Sequence, residues 1–564
     1  MTVRLAILTA AFASLACSAQ TPVARTDGGG APETPPSPKR ITVAIRGAPH
    51  GFYNKLVSGV PGSDAVEEFV NAGLAHLDDR GQLRPQLAEA VPTVENGLWR
   101  VLPDGRMELN WTIRAGARWH DGTPFTAADL VFTAQVVQDE QLRAFGDARY
   151  RHLESVEAVG ANGLRVLWKQ PFIEADALFS KELGMPLPRH LLEPTYADDR
   201  GALLDHPYWS ADFVGTGPYR IREFARDSHV LLDVNPEYVL GRPRIDRIEV
   251  RMIPDSNAIL VNVIAGYVDL TLGRSLSLDQ ALEARDRWKE GAMQPAASFL
   301  QRVHSQFVNP NPPVIANVQF RRALFRAIDR QEMVDVLQAG LTTVPVSFLP
   351  PGRPEYQAIE HNVVRYELDP RRSVQIIQGL GYRRRADGMF RSTEGNAPLS
   401  VELRTTAGDD GREKMVLAIA DYWQRVGVGV EPFMVPPRLN QDREHRANRP
   451  GFQLAAGESD ISALGTLHSS QAPSAENGYS GNNIPRYTNH EYDTLYERYL
   501  VTIPRAERMQ MVAYMLEHLA QWLPSMPIFY RVEATMIAHR LTGIELSSSE
   551  VSRAWNVHEW DVSQ

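Results

Sequence analysis

Hydrophobic positions along this chain change period several times, and each change marks an element. Residues 40–45, Arg40-Ile41-Thr42-Val43-Ala44-Ile45, alternate as a strand does. Met107, Leu109, Trp111 and Ile113 alternate with polar residues, so one face of their sheet is buried. Asp104-Gly105 lies between two strand patterns and predicts a hairpin turn. Asn162-Gly163 predicts a second one, between Val156–Val159 and Leu164–Trp168. Thr126 is placed to cap a helix whose first turn holds Asp129.

The later chain changes style. Ile248, Val250 and Met252 predict a strand, and Pro254-Asp255-Ser256 a break and a cap. Ile259, Leu260, Val263 and Ile264 form a helical face that Gly266 ends, and Val268–Leu270 is strand again. This is a βαβ unit, which implies a covered parallel sheet. It recurs as Val401–Leu403, a helix with Met415, Ile419, Tyr422 and Val426 on one face, Gly427 as its stop, and Val428–Val430. Asn317 to Leu337 reads as two helices, with Asp329 and Glu332 spaced as a cap and its partner. Asp369-Pro370 opens another helix, closed by Gly379 or Gly381. Met509, Val512, Leu516 and Leu519 mark a long helix that Pro524 ends, and Pro527–Tyr530 returns to strand. Two α/β lobes follow, one of them carrying the hairpin-rich block over residues 70–205 as an inserted α+β domain.

Composition limits what such a molecule does. The apolar fraction of 43% is enough for large cores, and the net charge of -9 comes without a basic block, so nucleic acid is not expected as a partner. The one cysteine of the 564 residues, Cys17, follows Arg4, an apolar run from Leu5 to Ala16, and the tripeptide Ser14-Leu15-Ala16. A basic start, a short apolar run and a small residue before the cut describe a secretory signal, here residues 1–16. The run is shorter than the roughly 20 apolar residues of a membrane span. Lipidated at Cys17, the mature protein would sit outside the cytoplasm on the tether 17–39, rich in Pro, Gly and Thr. The alternative is an ordinary cleaved signal whose cysteine is incidental.

Several segments in this order resemble one family. They are Trp111-Thr112-Ile113-Arg114 with Trp119-His120-Asp121-Gly122-Thr123-Pro124-Phe125, Gly215-Thr216-Gly217-Pro218-Tyr219, Asn235-Pro236-Glu237-Tyr238, Arg321-Arg322-Ala323-Leu324 with Ala327-Ile328-Asp329-Arg330, and Tyr492-Asp493 with Leu495. The set is similar to the family 5 extracellular solute-binding proteins of peptide and nickel ABC transporters. The resemblance implies a two-lobed α/β fold of periplasmic-binding-protein type II, with an additional inserted α+β domain in the first lobe. It would divide the chain into lobe I (40–70, 207–296 and 520–564), an inserted domain (71–206) and lobe II (297–519), with ligand between the lobes. It also implies a monomer that binds a peptide-like solute, delivers it to an ABC permease, and needs no cofactor and no metal.

Within that frame the candidate cleft residues are Ala48, Pro49 and His50 after the first strand, Thr216 and Gly217, and Glu458 and Asp460. A desolvated peptide amine needs a carboxylate. In peptide-binding relatives an aspartate of lobe II supplies it, beside a Gly-Trp and an Asp-Pro pattern. The corresponding stretch here, residues 452–461, lacks both patterns, which leaves Glu458 or Asp460 for the role and keeps a sugar or a metal complex open as ligand. His468 and His490 have no chelating spacing. Trp119-His120-Asp121-Gly122 reads as a turn and not as an acid–base pair. No G-x-x-x-x-G-K, H-E-x-x-H or G-x-S-x-G motif is present, so a secreted hydrolase is the remote alternative and a sensor subunit the nearer one.

Overall fold

The computed structural model describes residues 38–57, 60–351, 353–545 and 554–563; Cys17 and the segment before the tether's end lie outside them. Ten strands form the main sheet. In chain order they are β1 (Arg40–Ile45), β2 (Tyr219–Ala225), β3 (His229–Val234), β4 (Arg247–Met252), β5 (Leu270–Leu272), β6 (Gly291–His304), β7 (Ser400–Thr406), β8 (Gly429–Val435), β9 (Phe452–Gly457) and β10 (Ser525–Ala538). Across the sheet they run β8-β7-β9-β6-β10-β5-β1-β4-β3-β2.

Both βαβ units form where the hydrophobic pattern puts them. In the first, the Asp255 carboxylate accepts from the Asn257 amide at 2.8 Å and starts the helix Ser256–Ile264. β1 lies between β4 and β5, parallel to both. β5 begins at Leu270, two residues later than the pattern suggests. There the Asp269 carboxylate takes the Thr42 amide at 2.8 Å, a bond that a backbone carbonyl would otherwise accept. In the second unit, Asp409 caps the helix Asp410–Arg425, which buries Met415, Ile419, Tyr422 and Trp423 against parallel β7 and β8. Gly427 stops it at φ 94°.

A separate four-stranded antiparallel sheet carries the hairpin-rich block, ordered Trp99–Val101, Met107–Thr112, Gly163–Trp168, Leu153–Val159. Gly105 turns the first hairpin at φ 87°. The second hairpin turns earlier than Asn162-Gly163. Its left-handed residue is Gly160 at φ 70°, while Gly163 already pairs with Val159. Gly163 is glycine for a different reason: a Cβ there would lie 2.5 Å from the Val159 carbonyl oxygen. Thr126 and Asp129 form a capping box on the helix Ala127–Gln138.

β6 and β10 join the two ends of the sheet. Each is 14 residues long, and they pair antiparallel from Gly291–Ala538 to His304–Ser525, with irregularities near Ala297 and Arg302. One core packs around β1 to β4, with Tyr219, Val250 and Trp560; the other packs around β7 to β9, with Trp423, Phe452 and Phe529. The expected strand Pro527–Tyr530 is thus a small part of β10.

The Arg321-Arg322-Ala323-Leu324 segment lies in the helix Val318–Ala327. Arg321 is fully buried and donates to the carbonyls of Ile315 at 2.8 Å, Leu523 at 3.1 Å and Trp522, with its guanidinium 4.6 Å from the Phe307 ring. It therefore satisfies the last carbonyls of the helix Arg505–Trp522, which ends at Leu523 in the left-handed region. Burial lowers its pKa to about 10, so it stays charged at neutral pH. Arg321→Leu leaves those carbonyls without a donor. It should cost on the order of 3 kcal/mol, read as a fall in the denaturant midpoint; an unchanged midpoint overturns the capping role.

Candidate ligand-binding site

A cavity of about 560 Å³ opens beside the β6–β10 pair. From one end of the sheet come Asp64 at the start of the helix Ser63–Val70, Lys181 and Glu182, and Arg274 just after β5. From the other end come Arg353, Glu458 and Asp460, and the shared strands add Phe299 and Glu533. The two sides meet at Gly81, whose φ of 71° and bare Cα let the Arg353 guanidinium lie against it; a Cβ there would be 2.1 Å from Arg353 Nη1.

The charges of this cavity are mixed. Lys181 is paired with Glu68. Arg274 is 3.7 Å from Glu533 and stacks over Phe299 at 5.3 Å. Burial pushes Glu182 up to about 7 against the pull of Lys181 and Arg149. The two carboxylates predicted to hold an amine differ in a way the sequence does not show. Asp460 is engaged: its Oδ1 accepts from the Ser462 amide at 2.9 Å and from the Ser462 hydroxyl, and its Oδ2 is 3.8 Å from Arg353. Glu458 has no hydrogen bond or ion pair among the described residues. Desolvation and the neighbouring Asp460 raise its pKa, against the opposing charges of Arg302 and Arg274.

A second chamber of about 520 Å³ shares Phe299 and Glu458 with the first. It lies on the β7–β9 side, under the short helices Pro437–Gln441 and Arg443–Ala447, and its wall includes Arg302, His304 and Arg449. The two chambers form one charged cleft divided at Phe299 and Glu458.

The other predicted residues stand elsewhere. Ala48 and Pro49 pack toward the core around β1 and His50 is exposed; none of the three lines either chamber. Thr216 is buried, donating to the Ala72 carbonyl at 2.9 Å and accepting from the Ala72 amide at 3.0 Å. The Gly217 amide donates to the Val70 carbonyl, and a Cβ at Gly217 would lie 2.4 Å from the Val70 backbone. The Gly215-Thr216-Gly217 segment thus bonds to the end of the helix Ser63–Val70, away from the cavity. His120 belongs to the same junction: its Nδ1 accepts from the Gly215 amide and its Nε2 donates to the Gly217 carbonyl. Burial lowers it to about 4, which keeps it neutral. Asp121 pairs with His190 at 2.7 Å and not with His120. His468 accepts from the Ser470 amide within its own turn. Sequence reasoning missed Arg302, Arg353, Arg274 and Glu182; single charges spread over four segments carry no spacing signal.

A mixed sheet whose two ends share a pair of long strands, with a charged cleft beside them and an added α+β block, defines a two-lobed binding protein of the periplasmic type II fold. The model for bacterial extracellular solute-binding proteins, family 5 middle region, matches residues 82–477, and the chain belongs to that family. It is 24% identical over 392 residues to the oligopeptide-binding protein AppA of Bacillus subtilis, covering 68% of this chain and 67% of that one. It is 22% identical over 504 residues to the heme-binding protein A of Haemophilus influenzae, covering 85% of each. Among solved structures, AppA with a nonapeptide superposes with a TM-score of 0.72 at 20% identity, over 94% of this chain and 100% of AppA. A periplasmic EDTA-binding protein, EppA, gives 0.77 at 16% identity, over 94% and 98%. These relatives are named for what they bind and not for a reaction.

The Thr216 contacts predict that Thr216→Val lowers stability by about 1–3 kcal/mol, while the affinity for any ligand of the folded protein stays within two-fold. A thermal melt with a parallel titration reads both; lost affinity at unchanged stability would instead put Thr216 in the site.

Proposed function

We propose that this protein is an extracytoplasmic, lipid-anchored receptor that binds a peptide-like solute between two lobes and passes it to an ABC importer. On this reading lobe I comprises 40–70, 207–296 and 520–564, lobe II comprises 297–519, and 71–206 is an added domain. Cys17, after an exported leader, carries the anchor. The observation that favours the reading is the unpaired Glu458 carboxylate in a cleft lined from both ends of the sheet. Glu458 is exposed in the cleft, so its oxygens are free to accept from a ligand ammonium group in a charge-assisted contact. Glu458 suits the role better than Asp460, whose oxygens already hold Ser462 and face Arg353. Because the cavity takes walls from both lobes, ligand contacts are complete only when the lobes are closed. Binding then shifts the population toward the closed form, the shape a permease would read.

Two experiments test this. A panel of free-amine peptides, such as the tetrapeptide amide AQAA, should raise the melting temperature, and Glu458→Gln should weaken that binding about ten-fold or more while leaving the N-acetyl peptide unchanged. The pH dependence has a definite sign. The raised pKa of Glu458 means that its charge is lost early as pH falls, so free-amine affinity should drop on acidification sooner than for an ordinary carboxylate. The acetylated peptide should show no such drop. If no peptide binds, or if both forms lose equally on Glu458→Gln, the reading fails. For the anchor, Cys17→Ser should release the protein from membranes into the soluble fraction of a bacterial host; unchanged retention removes Cys17 from that role.

A further inference from the structure

The second chamber is unlike the first in the sign of its charge. Arg302 on β6 and Arg449 are both buried, at 4% and 2% exposure, and Arg443 and Arg446 stand at the rim on the short helix above. The one carboxylate on its wall is Glu458, at the divide with the first chamber. Arg449 is spent on the protein: its guanidinium donates to the carbonyls of Ile484 at 2.7 Å and Ser305 at 3.0 Å. Arg302 is not. It makes no hydrogen bond and no ion pair among the described residues, its Nε is buried without a partner, and its guanidinium rests 5.0 Å over the Phe348 ring. Gly457 gives it room, since a Cβ there would lie 1.5 Å from Arg302 Nη2. Beside it His304, 3% exposed, uses Nδ1 on the Ser525 hydroxyl at 2.7 Å and leaves Nε2 without a partner.

A buried guanidinium with five donors and no acceptor is costly unless something supplies the acceptors. No hydrogen bond or ion pair among the described residues explains this one; the Phe348 ring and the nearby charges of Glu458 and Asp460 offset its burial in part. We propose that the second chamber is an oxyanion subsite of the cleft, in which Arg302, with Arg443 and Arg446 at the mouth, holds a carboxylate-type group carried by the bound solute. The inference rests on the solute-binding reading and deepens it. The preferred ligand has a cationic end at Glu458 and an anionic group beyond Phe299, as a peptide with an acidic side chain has. Guanidinium and carboxylate match as forks, which gives selectivity over a neutral amide of the same shape. Burial lowers Arg302 to about 10, so the charge persists at neutral pH.

The test uses the mature chain with Arg302→Met and Arg443→Gln, and four probes: the tetrapeptide amides AEAA and AQAA, glutarate, and inorganic phosphate. Calorimetry should show AEAA binding the unaltered protein about ten-fold or more tighter than AQAA. The ratio should collapse toward one in Arg302→Met, with AQAA affinity kept, and fall several-fold in Arg443→Gln. Glutarate should raise the melting temperature of the unaltered protein but not of Arg302→Met. Ligand-free Arg302→Met should melt higher than its parent, since an unpaired buried charge has been removed; a merely structural arginine would do the opposite. Equal binding of AEAA and AQAA to the unaltered protein overturns the subsite and leaves the peptide receptor standing. Protection by phosphate without any preference for AEAA also overturns it, in favour of a free inorganic anion. If neither peptide binds, the parent reading fails, and glutarate protection lost in Arg302→Met still decides whether the chamber takes a carboxylate.

Discussion

The β6–β10 pair is the constraint on which the rest of the molecule depends. Two antiparallel strands of 14 residues belong at one end to the sheet around β1 and at the other to the sheet around β9. Their ladder fixes the separation of two cores that otherwise pack independently, one around Trp560 and Tyr219, the other around Trp423 and Phe452. β10 contributes to both, with Ile537 against the first core and Met526, Ile528 and Phe529 in the second, while β6 adds Val303 to the second. The ladder also sets where a ligand can sit, because Phe299 and Glu533 project from this pair into the first cavity and Phe299 and Arg302 into the second chamber. The register irregularities beside Ala297 and Arg302 fall next to these residues. Such irregularities bend a strand and re-aim its side chains.

Much of the fold is written in local patterns, and the parts that are not have physical reasons. The βαβ units are legible because a parallel strand and an amphipathic helix have different periods, and Asp255, Gly266 and Gly427 mark the changes. The crossover strands are not legible. β6 reads Gly-Ala-Met-Gln-Pro-Ala-Ala-Ser-Phe-Leu-Gln-Arg-Val-His, with its first half exposed or half-buried and its last five residues all buried, so no alternation runs through it. The displaced second hairpin shows the same limit on a smaller scale. Glycine at 163 is required for close approach of the Val159 carbonyl, and a turn signature cannot tell that from a left-handed residue.

The site was legible only where one segment supplied it. Glu458 and Asp460 follow a strand, and a ligand amine needs a carboxylate there; the chemistry pointed to the loop. It could not choose between them, because the choice depends on Ser462 and Arg353, which engage one and not the other. Thr216 and Gly217 have the small side chains of a ligand-approach strand, yet the backbone they let approach is that of Val70. Small residues signal that something comes close and do not say what.

The charges of the cleft bear on how the proposed closure of two lobes around a ligand would work. Among the described residues Arg302 is buried without a hydrogen bond from the protein, whereas Glu458 is exposed and unpaired. They form no ion pair, so Arg302 bears much of its desolvation cost, offset in part by the attraction of Glu458 and Asp460. The chamber around Arg302 is lined only by residues between 299 and 485, all in the proposed lobe II, so separating the lobes does not relieve that burial. A solute with an ammonium group for Glu458 and a carboxylate for Arg302 would find both partners on one lobe, and closure would then depend on the contacts it makes with Asp64 and Arg274 across the first cavity. To turn a 1:99 mixture into 99:1 takes about 5.5 kcal/mol of differential binding. Two charge-assisted contacts, at roughly 1.5–3 kcal/mol each, reach that scale. On the proposed reading, closure is conditional on a guest that reaches both walls of the first cavity, and Arg302 selects that guest without driving the closure.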